Sequence, residues 1–250
     1  MIFYTGIHDV SLARFIERAF VSASRLRSKN RQSFFDVGDW IMDSGAFTEI
    51  LYHGGFRYPV EEYAIWINKF AKCGNLELAV SQDYMCEPVM LKITGLTVID
   101  HQRLTIERYD RLLPLTTVCV MPVLQGYAPE EYAHHIEMYG DRLKLNIRVG
   151  VGSVCKRNSS PKEIVAVLDT IKRKRPDLKL HGFGLKTTSL ENAYILSMLH
   201  SADSMAWSMA ARRQGRNSNS GIEAAIFSKN IGIISGRKPH QLSLEVSNGQ

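Results

Sequence analysis

Apolar runs of strand length alternate with segments of helical periodicity along nearly the whole 250-residue sequence. This alternation constrains the fold more than any other feature, because parallel strands need a crossover between them, usually a helix. The sequence therefore predicts an α/β fold with a parallel sheet. The eight predicted strands are 2–5, 20–24, 39–43, 76–82, 117–124, 144–151, 178–184 and 203–207.

Proline and glutamate mark several helix starts between these runs. Pro59, Pro129 and Pro161 each stand shortly before a glutamate, and both residue types favour the first turn of a helix. Eight such strands in about 210 residues suit a compact (β/α)8 TIM barrel better than an open sheet. We predict one barrel domain over residues 1–236, followed by a polar carboxyl-terminal extension over 237–250.

Several classes of protein are not supported. The sequence has no run of about 18 apolar residues and no basic stretch followed by a long apolar block at its start. A membrane span and a secretory signal are therefore not expected, and a cytoplasmic location is predicted. Because the four cysteines form no C-x-x-C pair and no Cys/His cluster, we expect free thiols rather than disulfides or a metal site.

The net charge of +6 suits a polyanionic partner without requiring one. Basic residues gather in the second half of the sequence. The run KRKR at 172–175 is equally consistent with a solvated helix end, whereas RRQGR at 212–216 follows an apolar strand candidate and precedes NSNSG. We predict phosphate contacts by Lys156, Arg157, Arg212, Arg213 and Arg216.

Polar residues and glycines recur where the predicted strands end, and in such barrels the loops after these ends form the active face. Any one of them could be ordinary turn chemistry. Together they indicate a cleft in which carboxylates of different pKa act as nucleophile and general acid or base, as in glycosyl transfer. The set is Asp43-Ser44-Gly45, Gln82-Asp83, Gln125-Gly126, 150–153 (GVGS), 181–184 (HGFG) and Asp203.

The glycine-rich stretch at 150–153 lacks the G-x-G-x-x-G spacing of a dinucleotide site. Its glycines would instead let a flat ligand approach the backbone closely. Guanine presents two adjacent N–H donors that one carboxylate can accept, and its O6 needs a donor. Asp83, Gln125 and the amides near Gly152 could supply that set.

Six stretches together resemble a known superfamily: DSGAF, SQDY, VLQG, VGVGS, HGFGLKT and SADSMAWSMAARRQGR, in this order. The sequence resembles the tRNA-guanine transglycosylase superfamily over roughly residues 40 to 217, most closely its shorter DNA-acting branch, the deazapurine DNA modification (DpdA-like) transglycosylases. The resemblance implies a TIM barrel that exchanges guanine for a 7-deazaguanine such as preQ0 through a covalent glycosyl-enzyme intermediate.

The resemblance also implies roles for individual residues. Asp43 matches the aspartate that acts as general acid/base toward the departing and incoming bases, and Asp83 matches the aspartate that reads the guanine edge. His181 lies where a family residue covers the base. The base-binding positions implied are Ser44, Asp83, Gln125, Gly126, Gly152, His181 and Gly182.

The nucleophile is where the sequence departs from the family. The family's nucleophilic aspartate lies in a stretch like G-x-D-x-F-D, and a gapless match puts the first aspartate at Asp203 and the nucleophile position at Ala206. Either Asp203 has taken over this role through a local shift in the strand, or the nucleophile differs here. Because Asp203 is the only carboxylate nearby, we expect it to be the nucleophile.

The second departure concerns zinc. The tRNA enzymes carry a C-x-C-x-x-C…H zinc subdomain after the last barrel motif, whereas no cysteine follows Cys155 here. The resemblance therefore favours a compact barrel that acts on DNA, without that subdomain, without metal or cofactor, and with helper proteins that open the duplex as conceivable partners. Three alternatives stay open: a tRNA-guanine transglycosylase, a nucleoside or glycoside hydrolase, and an inactive nucleic-acid-binding module, for which Ala206 is the best evidence.

Overall fold

The computed structural model describes residues 1–27, 35–157 and 160–236, and the predicted extension over 237–250 lies outside this part. Strands and helices alternate through it. The strands are β1 Ile2–Ile7, β2 Arg18–Ser22, β3 Asp39–Asp43, β4 Asn75–Val80, β5 Val120–Met121, β6 Val123–Leu124, β7 Arg148–Val151, β8 Lys179–Gly182 and β9 Leu199–Ser204. The helices are α1 Ala23–Arg27, α2 Ala46–His53, α3 Val60–Phe70, α4 Pro88–Thr94, α5 Val98–Leu112, α6 Pro129–Tyr139, α7 Pro161–Lys174, α8 Thr187–Leu190, α9 Ala193–Met198, α10 Ala206–Arg213 and α11 Gly221–Gly236.

All strand pairs are parallel, and the strand order is β5-β4-β3-β2-β1-β9-β8-β7-β6. The two ends of this sheet, β5 and β6, are consecutive in the chain with only Pro122 between them. Ser81 donates its N–H to the carbonyl of Met121 at 3.0 Å, and Gly150 donates to the carbonyl of Pro122 at 2.9 Å. One interrupted strand thus pairs with β4 through β5 and with β7 through β6. This pairing nearly closes the barrel and confirms the predicted TIM-barrel fold.

Two predicted strands differ most from those observed. The strand predicted at 117–124 is two short strands, because Pro122 has no N–H to continue the ladder. The last strand, predicted at 203–207, runs over Leu199–Ser204 instead, and α10 begins at Ala206. No apolar run marks it, since it carries buried polar side chains, among them Ser201 and Asp203.

The helices pack as their sequence patterns predict. The three prolines mark the starts of α3, α6 and α7, and α3 buries an apolar stripe of helical spacing: Val60, Tyr63, Ala64, Ile67 and Phe70. A large apolar cluster lies between the strands and the helices. A second, smaller cluster fills the interior of the barrel: Tyr4, Phe20, Ile41, Val80, Met121 and Val123.

Helix α10 lies across the carboxyl end of β1. The indole of Trp207 donates to the carbonyl of Gly6 at 2.8 Å, and the His8 ring stacks on Trp207 at 5.6 Å. His8 also hydrogen-bonds Asn219 at 2.8 Å. The segment that joins α10 to α11 is therefore held at the carboxyl-end face of the barrel.

A polar cluster occupies the opposite, amino-terminal end of the barrel. The Tyr4 hydroxyl donates to Glu77 at 2.6 Å, and the Arg148 guanidinium donates to Tyr4 at 3.0 Å and to Glu77 at 3.2 Å. Burial, together with the bond to Glu77, raises the pKa of Tyr4 to about 12, so the phenol stays protonated. Across the described ranges, no helix is both long and apolar enough to cross a membrane.

The polar cluster generates a stability prediction. Glu77→Gln leaves the guanidinium of Arg148 without its counter-charge, and the side chains of Arg148 and Glu77 are only 17% and 23% exposed. We expect the free energy of unfolding to fall by about 1–3 kcal/mol. Glu61→Gln is the matched control, because the Arg111–Glu61 pair is about half exposed and should contribute less than about 1 kcal/mol. Urea unfolding measures both, and equal losses would contradict the prediction.

Candidate active site

Three carboxylates converge on one pocket at the carboxyl ends of the strands. Asp43 ends β3, Asp83 follows β4, and Asp203 lies in β9 one residue before its end. The cavity of about 210 Å³ is smaller than the roughly 300–1,000 Å³ of sites for drug-sized ligands, so it suits a compact ring. The residues that line it are Phe20, Asp43, Ala46, Phe47, Asp83, Met85, Gln125, Gly152, Ser153, Cys155, Phe183, Gly184 and Asp203.

Asp83 is held by a network of polar side chains. The Gln125 amide donates to Asp83 at 2.5 Å, and the Ser44 hydroxyl donates to the other carboxylate oxygen at 3.3 Å. The carbonyl oxygen of the Gln125 amide accepts a bond from Ser153 at 3.2 Å. Because its oxygen is used in this way, the orientation of the amide is determined, and its N–H groups face the carboxylate.

Burial raises the pKa of Asp83 to about 7, and the charge of Asp43 adds to the effect, against bonds from Gln125 and Ser44 that lower it. Burial likewise raises the pKa of Asp43 to about 6, with a further increase from Asp203, while bonds from Ser22 and from the Gly45 amide lower it. The pocket thus holds two acids that exchange protons near neutral pH, as acid/base groups should.

Gly152 makes room for the Gln125 side chain. A Cβ atom at position 152 would lie 2.3 Å from the Gln125 amide nitrogen, and the Tyr132 hydroxyl holds the Gly152 carbonyl at 2.8 Å. Gly126 packs against the Tyr132 ring, where a Cβ would approach within 3.0 Å. Gly152 therefore lines the pocket, whereas Gly126 supports the loop from behind.

Gln125 is also fixed through its backbone. Its N–H donates to Nδ1 of His135 at 2.8 Å, and the Gln102 amide donates to its carbonyl at 2.7 Å. The sequence interpretation missed both partners. A signal existed for His135, because it interrupts the apolar stripe of α6 between Tyr132, Ile136 and Tyr139 and a polar residue on a buried helix face needs a partner.

Asp203, rather than position 206, faces the pocket. Its Oδ1 accepts bonds from the Gly184 N–H at 3.0 Å and from Nε2 of His181 at 3.3 Å. Ala206 lies beyond the strand, in the first turn of α10, where its N–H bonds the Ser204 hydroxyl. Of the two positions left open by the sequence, the structure brings Asp203 to the other carboxylates.

His181 and Gly182 do not line the pocket. The His181 side chain is completely buried and stacks on Phe20, with ring centroids 5.5 Å apart. A Cβ at Gly182 would meet Leu185 at 2.6 Å, so this glycine serves close packing. The resemblance put both residues among the base-binding groups, but the structure places them behind the wall that carries Asp203.

Apolar side chains that the sequence interpretation did not single out form the remaining walls. Phe20, Phe47, Met85 and Phe183 line the cavity, and Phe47 is 44% exposed. The sequence offers one signal for this wall, because Phe47 ends the DSGAF stretch that begins at Asp43. Flat apolar walls with polar groups between them suit a planar heterocycle.

The predicted phosphate ligands fall into three groups. Arg157 is only 8% exposed, donates to the Tyr127 carbonyl and pairs with Glu163 at 3.0 Å, so these bonds anchor a loop, and phosphate binding by Arg157 stays a prediction. Arg212 and Arg213 are exposed, and Arg216 is exposed but paired with Glu223. The side chain of Lys156 lies outside the described part of the structure.

Among the described residues, no group of three or more His, Cys, Asp and Glu side chains is arranged to hold a metal ion.

The fold and the pocket define a class: a TIM-barrel protein with an acidic, flat-walled site at the carboxyl ends of its strands. The family model described as DeoxyPurine in DNA protein A (DpdA) matches residues 1–228, and the chain belongs to this DNA-acting, tRNA-guanine transglycosylase-like family. The resemblance inferred from the six motifs is thereby confirmed. None of the curated proteins compared with the chain matches it.

Asp83 generates a prediction about stability and pH. Its pKa is raised from 3.8 to about 7, so the folded chain binds this proton more tightly than the unfolded chain, and that stabilisation is lost as the pH rises through this interval. Asp83→Asn should therefore increase the free energy of unfolding by roughly 2–4 kcal/mol at about pH 8, and much less at about pH 4.5. Urea unfolding at the two pH values measures it. Asp110→Asn, which alters an exposed carboxylate, should show no such gain, and a gain independent of pH would contradict the assignment.

Gly152 generates a prediction about binding. Gly152→Ala should displace the Gln125 amide from Asp83 and lower by about tenfold or more the affinity for guanine, the ligand that the sequence predicts, because a hydrogen bond to a charged group is lost. Isothermal titration calorimetry measures the affinity. Gly232→Ala is the control, since a Cβ there meets nothing within 4 Å. Unchanged binding by Gly152→Ala would show that the Gln125–Asp83 pair does not form the base site.

Proposed function

We propose that this protein is a DNA guanine transglycosylase that exchanges a guanine base in DNA for a 7-deazaguanine base such as preQ0. The observation that carries the proposal is the convergence of Asp43, Asp83 and Asp203 on one small pocket. Membership of the DpdA family implies DNA as the substrate. The exchange reaction, the incoming base and the residue roles below are inferred from the chemistry of the pocket.

Asp83 and Gln125 suit the recognition of the base. In its ionised form Asp83 can accept the N1–H and the exocyclic amine of guanine together, and a 7-deazaguanine presents the same edge. The Gln125 amide has two N–H groups, and one of them is bonded to Asp83. The other can donate to O6 of the base. Phe47, Phe183 and Met85 supply apolar surface for the faces of the ring.

Asp203 and Asp43 suit the two parts of the exchange. Asp203 attacks the anomeric carbon, the bond from that carbon to N9 breaks, and its electron pair leaves with guanine, which takes a proton from Asp43. The incoming base then gives its N9 proton to Asp43 and attacks the same carbon, and the bond to Asp203 breaks with its electron pair returning to the carboxylate. Asp43 ends protonated and Asp203 ionised, as they began.

The raised pKa of Asp43 fits this cycle. A carboxyl group with a pKa of about 6 can hold a proton near neutral pH and can also give it up, whereas an ordinary aspartate would remain ionised. Asp203 contributes to this increase through its negative charge. Once Asp203 becomes an ester that charge disappears, so Asp43 becomes the stronger acid at the step where guanine must be protonated.

Access to the anomeric carbon requires that the target nucleotide leaves the base stack. The exposed Arg212 and Arg213 end α10, and the segment that follows is held at the same face of the barrel as the pocket by His8. This placement suits contacts to phosphates on either side of an extruded nucleotide, which would position the DNA without reading its sequence.

The decisive experiment supplies the protein with labelled preQ0 or guanine and with DNA or tRNA, and then measures label in each polymer. We expect label in DNA. Asp203→Ala should lower incorporation by about 1,000-fold or more, and Asp43→Ala by about 100-fold, because the first removes the nucleophile and the second the proton donor. Asp110 is an exposed carboxylate paired with Arg142. Incorporation by Asp110→Ala should therefore stay within about twofold of that by the parent protein.

Other outcomes would identify the alternatives. Label in tRNA alone would indicate a tRNA-guanine transglycosylase, and release of guanine without incorporation would indicate a hydrolase. Binding of DNA with neither release nor exchange would indicate an inactive module. Full incorporation by Asp203→Ala would contradict the nucleophile assignment, and mass spectrometry of the trapped glycosyl adduct would then locate the attacking residue.

A further inference from the structure

The two oxygens of the Asp203 carboxylate have different surroundings. Both N–H donors, the Gly184 amide at 3.0 Å and His181 Nε2 at 3.3 Å, reach Oδ1. Within the described residues no hydrogen-bond donor is directed to Oδ2, while Asp203 lines the pocket. We propose that His181 is a positioning residue that, with the Gly184 amide, holds Oδ1 so that Oδ2 is the atom that attacks the anomeric carbon. This inference rests on the proposed function.

The tautomer of His181 follows from its partners. An ionised carboxylate only accepts hydrogen bonds, so Nε2 must carry a proton to donate to Asp203. In the neutral ring Nδ1 is then an acceptor, and the Ser201 hydroxyl lies 2.9 Å from it. Ser201 can donate there and so favours the tautomer that places the proton toward Asp203.

The position of the His181 ring is as restricted as its tautomer. The ring is fully buried, stacks on Phe20 at an interplanar angle of 15° and meets the edge of Phe183 at 5.0 Å. Phe20 and Phe183 themselves line the pocket. The donor nitrogen of His181 therefore has little freedom, and it restrains the Asp203 carboxylate from behind the pocket wall.

Holding Oδ1 has a consequence for both halves of the exchange. When an Oδ2 lone pair forms the bond to the anomeric carbon, Oδ1 becomes the carbonyl oxygen of the ester. When the incoming base breaks that bond, the electron pair returns to the carboxylate and negative charge reappears partly on Oδ1. The two N–H groups stabilise that leaving carboxylate, so His181 affects the rates of glycosyl transfer and not the affinity for the base.

The test compares His181→Asn with His181→Gln. The glutamine amide can place an N–H near the position of Nε2, whereas the shorter asparagine cannot reach Asp203. We expect kcat for base exchange in DNA to fall by about 10- to 100-fold in His181→Asn, because the nucleophile loses a bond that holds it in the attacking position. KM for preQ0 should stay within about twofold, because no group that contacts the base is changed. His181→Gln should recover most of the rate.

Two controls separate this effect from general damage. His200→Asn changes a histidine that bonds Arg148 in the polar cluster at the other end of the barrel, and kcat should not change. Thermal unfolding of each variant shows whether it is folded. A folded His181→Asn protein with the parent kcat, or one that changes only KM, would overturn the inference, and so would a His181→Gln protein as slow as His181→Asn.

A second measurement does not depend on activity. Long-range ¹H–¹⁵N NMR spectra of the histidine rings, with the signal of His181 identified by its loss in His181→Asn, should show a proton on Nε2 and none on Nδ1. Asp203→Asn should change this signal more than those of the other histidines. A proton on Nδ1 would overturn the inference whatever the activity. If the tautomer is as expected but the parent protein exchanges no base, the proposed function is overturned while the His181–Asp203 contact stands.

Discussion

The burial of three carboxylates side by side, together with their mutual repulsion, is the constraint on which the rest of the site depends. The charges of Asp43, Asp83 and Asp203 disfavour one another: Asp203 raises the pKa of Asp43, and Asp43 raises that of Asp83. Each is nevertheless kept in place by donors, which are Ser22 and Gly45 for Asp43, Ser44 and Gln125 for Asp83, and His181 and Gly184 for Asp203. A pocket of this kind stores unfavourable energy that the apolar layer between barrel and helices must offset.

The barrel makes this arrangement possible because all its strands are parallel. Their carboxyl ends meet at one rim, so residues separated by about 40 positions in the chain become neighbours. Each acid is attached to a strand end or to a loop fixed by backbone bonds. The supporting groups, such as His135 behind Gln125 and His181 behind Asp203, lie in the buried layers, where packing restricts their rotamers.

Much of the fold could be predicted from the sequence, because helix starts and strand-length apolar runs are local signals. The apolar stripe of α3 and the prolines that begin α6 and α7 are examples. The exceptions are instructive. The prediction places β9 too late in the chain because Ser201 and Asp203 replace apolar residues in it. It joins 117–124 into one strand because the apolar run continues on both sides of Pro122, whose missing N–H interrupts the ladder.

The active site, like the fold, could be predicted from the sequence only in part. The sequence by itself determined which residue types stand at the strand ends and in which order, and this was enough to recognise the family and to select Asp43, Asp83, Gln125 and Gly152. Only the tertiary structure decided that Asp203 and not position 206 faces the pocket, that Arg157 is buried in a loop anchor, and that His181 supports an acid instead of covering a ligand. The physical reason is that motif order is a property of the chain, whereas burial and hydrogen-bond partners depend on which distant strands the barrel brings together.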